Sequence, residues 1–143
     1  MTVGRILSMK GHDVVTAQPH RTLAETAKIL ADRGIGAVII TGADGEVLGI
    51  LSERDIVRAA ARGSAAALND PVSRHMTAKV VTATEDMSVT SVMEEMTKGR
   101  FRHIPVLRHG RLDGLISIGD LVKYRLAEVE GEHRALREYI ATA

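Results

Sequence analysis

The chain repeats itself, and the repeat limits the fold more than any other feature. The phrase Gly49-Ile50-Leu51-Ser52-Glu53-Arg54-Asp55 returns 65 positions later as Gly114-Leu115-Ile116-Ser117-Ile118-Gly119-Asp120. The flanks follow the same offset within one residue: Thr16 matches Thr82, Leu23 matches Val89, Ala27 matches Met93, Leu30 matches Met96 and Ile35 matches Phe101. The one-residue difference falls between Ile40 and Gly49, where the turn-rich Thr41 to Glu46 faces a shorter counterpart around Arg108-His109-Gly110. Loops are where such a deletion is tolerated. A duplicated chain folds about a pseudo-dyad, and polar phrases duplicated across a dyad predict two related binding sites.

Each half reads as a strand, a helix, two strands and a helix. Val14-Val15-Thr16 is a short β-branched run closed by Pro19, and Leu23, Ala27, Ile29 and Leu30 then take helical spacing until Gly34. Ala37 to Thr41 and Val47 to Leu51 form a hairpin around Gly42 and Gly45, and Ser52 opens a helix that runs to Gly63. The second half repeats this as strand Val80 to Thr82, helix Val89 to Met96, strands His103 to Leu107 and Leu112 to Ile116, and a helix from Ser117. The fold class is α+β: two pseudo-symmetric βαββα units with a long C-terminal helix. Unit 1 with an N-terminal helix spans 1–63, a linker 64–74, unit 2 75–125 and a helical extension 126–143. Neither half has enough helix to cover its sheet alone, so the two pack against each other.

Composition removes several function classes. With 143 residues and 45% apolar content the chain can build a real core. The absence of cysteine excludes disulfides, a thiolate nucleophile and Cys-type zinc sites. His12, His20, His75, His109 and His133 show no metal-binding spacing, so no metal is expected. A net charge of +1, one Phe, two Tyr and no Trp argue against generic nucleic-acid binding. The N-terminus lacks a continuous apolar signal region and the longest aliphatic run, Ala37 to Ile40, is far too short for a bilayer, so the expected location is the cytoplasm. Gly34-Ile35-Gly36 leads into a strand and lacks the third glycine of a dinucleotide fingerprint. No residues assemble a nucleophile, base and oxyanion donor, so the chain does not read as an enzyme.

The repeated phrase carries its own chemistry. Ser52 and Ser117 stand where a strand becomes a helix, and the first N–H groups of that helix lack intrahelical partners, which favours a phosphate. Three residues on, Asp55 and Asp120 lie on the same helix edge, where a carboxylate can accept from two vicinal hydroxyls such as those of a ribose. Ser-x-x-Asp also matches a capping box, in which each carboxylate serves its own helix with no ligand. Both readings stand on the residues alone.

A βαββα unit present twice, with G-I-L-S-E-R-D, R-H-I-P-V at Arg102 to Val106, and G-L-I-S-I-G-D, resembles the tandem cystathionine-β-synthase (CBS) domain pair, or Bateman module, over almost the whole chain. The resemblance implies a stand-alone regulatory module that binds adenosine-containing ligands in clefts between its repeats and signals energy or cofactor status to a separate effector protein. AMP is the first-choice ligand, with ATP, ADP, NAD(H) and S-adenosylmethionine as alternatives. It places the adenine along Val14, Thr16 and Ala17 in one half and Val80, Thr82 and Ala83 in the other, with Ile104 and Pro105 as an apolar wall. Pro105 itself suits a strand edge or bulge. Arg102 and His103 are implied phosphate contacts that can serve either cleft, joined by Ser52, Ser117, Arg54 and, more weakly, Lys79. Arg102-His103 aligns with Gly36-Ala37 and Arg54 with Gly119, so the clefts are expected to be one strong and one weak. The alternative function is a structural dimer module with degenerate sites.

Leu126, Val129, His133, Leu136 and Ile140 recur at spacings of three and four beyond the repeat, bordered by charges. That seam must be buried on Val3, Ile6 and Leu7 or on a second subunit; the resemblance implies a two-fold pairing of modules, so a homodimer is the favoured expectation and packing within one chain the alternative.

Overall fold

The computed structural model describes residues 1–142. In chain order the elements are α1 (Val3–Lys10), β1 (Thr16–Ala17), α2 (Leu23–Arg33), β2 (Ala37–Thr41), β3 (Val47–Ser52), α3 (Glu53–Gly63), α4 (Val89–Gly99), β4 (His103–Arg108), β5 (Arg111–Ser117) and α5 (Ile118–Thr142), with 3₁₀ turns at Ser64–Asn69 and Val72–Arg74. β1, β2 and β3 form one sheet, β1 parallel and β3 antiparallel to the central β2. β4 and β5 form the second, antiparallel sheet. The βαββα order of the first half is as expected from the sequence.

Local chemistry sets the helix limits. Thr22 caps α2 by accepting from the Glu25 N–H at 3.1 Å, and Ser88 does the same for α4 through the Ser91 N–H at 3.0 Å. Both helices end on a left-handed residue. In α2 that residue is Gly34 (φ 62°, ψ 38°), but in α4 it is Arg100 (φ 56°, ψ 41°), which has a Cβ to accommodate there. The β4–β5 hairpin turns tightly at His109 (φ 52°) and Gly110 (φ 75°), the two positive φ values that a two-residue hairpin loop demands. The longer β2–β3 loop is closed by the Gly42 N–H on the Glu46 carbonyl at 2.9 Å, which accounts for the one-residue change of offset.

The expected strand Val80 to Thr82 is absent. Among the described residues the ladder is reduced to the next residue, Ala83, which donates to the Pro105 carbonyl and accepts from the Leu107 N–H, both at 2.9 Å. The cause is Pro105. In the first half the aligned Ile39 donates its N–H to the Val15 carbonyl at 3.2 Å and so extends β1. Pro105 has no N–H to offer Val81, and the second ladder stops after one bridge. Pro105 therefore sits within β4, opposite Leu115, with its donorless side turned to the strand that fails to form.

The cores are exchanged between the halves. Val3, Ile6 and Leu7 of α1, which precede the first unit in sequence, are fully buried with Val89, Val92, Met96, Ile104, Val106, Ile116 and Leu121 of the second. Val72 and Met76, which lead into the second unit, pack with Leu23, Leu30, Val38, Ile40 and Leu51 of the first. Thr77 bridges Ile50 through two backbone hydrogen bonds of 2.9 and 3.0 Å. The segment 64–74 is thus docked, with Ala67 and Val72 buried.

Past Leu121 and the half-buried Tyr124, α5 runs into solvent. Leu126, Val129, Leu136 and Ile140 are 54, 42, 54 and 65% exposed. Val3, Ile6 and Leu7 are committed to the second core, so the seam has no cover on α1. Ahead of α1, the Met1 ammonium pairs with Glu128 at 3.6 Å.

Candidate functional site

Each half ends a strand in serine and turns at once into a helix. In the first, Ser52 Oγ accepts from the Asp55 N–H at 3.4 Å, while Asp55 Oδ2 accepts from the Ser52 N–H at 2.9 Å and its hydroxyl at 3.1 Å. In the second, Ser117 Oγ accepts from the Asp120 N–H at 3.1 Å and Asp120 Oδ2 from the Ser117 N–H at 2.8 Å. Both aspartates therefore close the capping box anticipated as the alternative reading. In both, the box engages Oδ2 and leaves Oδ1 without a hydrogen-bond partner among the described residues.

Strand register brings His103 to this point. His103 lies opposite Ser117, as Ala37 lies opposite Ser52. The His103 ring reaches into the other half: a Cβ on Gly36 would stand 3.3 Å from His103 Nε2 and 3.8 Å from Glu53 Oε1. Gly36 and Ala37 make the room that the aligned Arg102 and His103 would fill, so a single imidazole occupies the region between the halves. Burial lowers the His103 pKa below the ordinary histidine value, with the charge of Lys10 and, to a smaller extent, Arg102 acting in the same sense; Asp120 and Glu53 pull the other way. Burial thus disfavours the charged imidazolium, with groups of both signs beside the ring.

Lys10 was not foreseen. At the end of α1 its ammonium donates to Asp120 Oδ2 at 2.5 Å and to the Leu115 carbonyl at 2.6 Å. Burial alone would raise the Asp120 pKa, but the Lys10 hydrogen bond, the Ser117 N–H and the Lys10 charge outweigh it and hold the carboxyl below its usual range. Among the described residues no lysine is hydrogen-bonded to or ion-paired with Asp55.

Three arginines share one groove. Arg54, at the start of α3, shares a shallow groove of about 280 Å³ with Arg100 and Arg102, floored by Met96, Phe101 and Ile118. None of the three is ion-paired among the described residues. Arg100 is the second residue sequence reasoning missed. Its signal was an arginine where the twin repeat keeps the left-handed Gly34.

The remaining candidates are more scattered. Thr16 and Thr82 are exposed, Val14 and Val80 half-buried, and Ala17 and Ala83 buried, so the two halves present matching patterns. Thr16 and Ala17 line a separate groove of about 580 Å³ against α2, where Arg21 is paired with Glu25 and Lys28 with Asp32; neither site aspartate borders it. Ile104 and Pro105 are buried, Ile104 within the second core. Lys79 is exposed and borders neither groove. Among the described residues no cluster of His, Asp or Glu could hold a metal ion, and no helix is long and apolar enough to cross a membrane.

The CBS domain family model matches twice, over residues 3–62 and 72–127. The chain belongs to the CBS-domain family. Its two matches make it a CBS-domain pair, as the repeated phrases suggested. The CBS-domain protein ATU1752 of Agrobacterium tumefaciens is 50% identical, covers 87% of this chain and 99% of its own, and superposes with a TM-score of 0.86. The CBS domain pair of protein MJ0100, solved in complex with 5′-methylthioadenosine and S-adenosylmethionine, is 27% identical with a TM-score of 0.80, covering 90% of this chain and 98% of its own. A 17.7 kDa protein of Acidianus ambivalens is 36% identical over 111 residues, 77% of this chain. The chain spans 66% of this relative's length, and between 21 and 66% of other curated relatives it matches.

Proposed function

We propose that this CBS pair is a regulatory module binding an adenosine-containing ligand, AMP in the first place, at two clefts headed by Asp55 and Asp120. The observation that carries the reading is the open Oδ1 on both aspartates, each beside a helix N-terminus. One ribose hydroxyl can donate to that open oxygen, and its vicinal neighbour takes Oδ2 as a contact already on that oxygen gives way. The adenosine ligands of the MJ0100 pair support the same class. Arg102 and His103, with Arg54, take the phosphate, and the segments from Val14 to Ala17 and from Val80 to Ala83 face the base. The exposed seam of α5 pairs with a second copy, and ligand binding fixes the relative orientation of the halves for a partner protein to read.

Calorimetric titration of AMP and adenosine against the wild type and Arg102→Ala tests the reading. A charge-assisted contact to phosphate contributes about 1.5 to 3 kcal/mol, so Arg102→Ala weakens AMP roughly ten- to over a hundred-fold and adenosine little. Equal losses for both ligands place Arg102 in the fold and not at the phosphate. The second reading, a structural dimer module, draws on the closed capping boxes. It predicts no rise in melting temperature with AMP, whereas a ligand bound only to the folded state must stabilise it.

A further inference from the structure

We propose that Lys10 is a built-in competitor for the Asp120 carboxylate, so that the Asp55 cleft fills first and the Asp120 cleft accepts ligand only as the end of α1 lets go. The proposal rests on the ligand reading above and goes further by assigning the order of filling.

The argument comes from comparing the halves. Ile50 and Leu115 are repeat mates on the edge strands β3 and β5. The Ile50 carbonyl is satisfied by a backbone donor, the Thr77 N–H at 2.9 Å, because the segment entering the second unit is extended there. The Leu115 carbonyl is satisfied instead by Lys10 Nζ, because α1 remains helical through Lys10 and ends only at Gly11 (φ 103°), whose N–H closes on the Leu7 carbonyl at 2.7 Å. One helical turn puts Lys10 on the face of Ile6 and Leu7, which are fully buried against the second unit. The ammonium is thereby aimed at Asp120 Oδ2.

The clefts differ as a result. Oδ2 accepts two hydrogen bonds in each cleft, but from different donors: at Asp55 both come from Ser52, whose hydroxyl can rotate away for a sugar hydroxyl, whereas at Asp120 the second comes from the Lys10 ammonium. Two sugar hydroxyls can take both Asp120 oxygens only as Lys10 is displaced, and displacement also strips the Leu115 carbonyl of its donor. His12 adds a further tie beyond α1, with Nδ1 2.9 Å from the Asp113 carbonyl. A partly buried ion pair held by two contacts at one end is a real cost to the competing ligand, and its removal is a gain.

The test reads the second cleft alone by working in an Asp55→Ala background. Lys10→Met keeps the aliphatic stem and removes the charge. AMP is titrated by calorimetry into Asp55→Ala, Asp55→Ala/Lys10→Met and Asp55→Ala/Asp120→Ala. The double variant with Lys10→Met binds AMP about fivefold more tightly than Asp55→Ala, as expected for relief of a competitor of moderate strength. Equal or weaker binding overturns the proposal, and weaker binding makes Lys10 a ligand contact. If Asp120→Ala weakens AMP while Lys10→Met does nothing, the competitor fails and the ribose reading survives. If Asp120→Ala has no effect, the ribose reading fails and the proposal with it. Amide exchange in the unmutated chain is the independent arm, and a Lys10→Met that misfolds cannot affect it. Saturating AMP accelerates exchange of the Gly11 amide, and an unchanged or slower rate overturns the proposal.

Discussion

The glycines that open the two repeated phrases are held by close packing, and the structure ranks them. A Cβ on Gly49 would stand 2.6 Å from Met76 Sδ, 2.9 Å from Met76 Cγ and 2.8 Å from the Thr77 carbonyl oxygen. Methionine can yield, but the carbonyl is pinned by the Ile50 N–H that donates to it at 3.0 Å, so relief breaks that hydrogen bond. Overpacking costs about 1 to 3 kcal/mol and each lost backbone hydrogen bond about 1 kcal/mol, which puts Gly49→Ala at roughly 2 to 4 kcal/mol. A Cβ on Gly114 would meet the methyls of Leu7, 2.7 and 2.9 Å away. These are the far end of a side chain, and turning it off-rotamer in a filled core costs about 0.5 to 1.5 kcal/mol. For a chain of this size about 1 kcal/mol moves the melting temperature by roughly 3 to 5 °C, so Gly49→Ala falls by about 10 °C and Gly114→Ala by about 4 °C. Thermal melts followed by circular dichroism, with urea titrations to compare m-values, measure both. A Gly114→Ala loss equal to or larger than that of Gly49→Ala refutes the ranking and with it the claim that the Thr77 backbone is the rigid partner.

Two further outcomes follow from other parts of the chain. His103 has a folded-state pKa below the ordinary histidine value of about 6.5, so the unfolded chain binds the extra proton in that window. Its contribution to stability is full above about pH 6.5 and is lost as pH falls through the lower, folded-state pKa; His103→Gln should flatten that decline in pH-dependent melts, and an unchanged slope would refute it. Leu136→Glu should convert a dimer to a monomer in sedimentation while leaving the melting temperature of the monomeric fold nearly intact, since Leu136 is exposed within one chain; a variant that stays dimeric moves the interface off α5.

The repeat was readable because burial acts at the same spacing in both halves. Leu23 and Val89, and Leu30 and Met96, are buried in matching places. The lost strand before β4 was readable in principle too. Pro105 was recognised as a poor central-strand residue, but the consequence falls on Val81, far away in sequence, and appears only when the two ladders are laid side by side. Lys10 was hidden for a different reason. The helical spacing of Val3, Ile6 and Leu7 puts Lys10 on their face, but the sequence does not say what that face meets, because α1 packs with the half it does not precede. The paired serines and aspartates were local enough to read directly, including their capping geometry. The arginine groove joins α3 to the α4–β4 connection across the halves, and only the three-dimensional arrangement puts Arg100 beside Arg54.

The exchanged leading segments also say what one repeat could do alone. A chain holding a single repeat with its own leading arm would have the arm's apolar face unburied and its sheet edge bare, since in the pair each is covered by the other copy's counterpart. Two such half-length chains could satisfy each other by trading arms about a two-fold axis. The present molecule has the geometry of that arm-traded pair with its two chains spliced into one, and the splice frees the copies to diverge: one keeps a glycine where the other carries Arg100, and Lys10 of one arm is Met76 in the other.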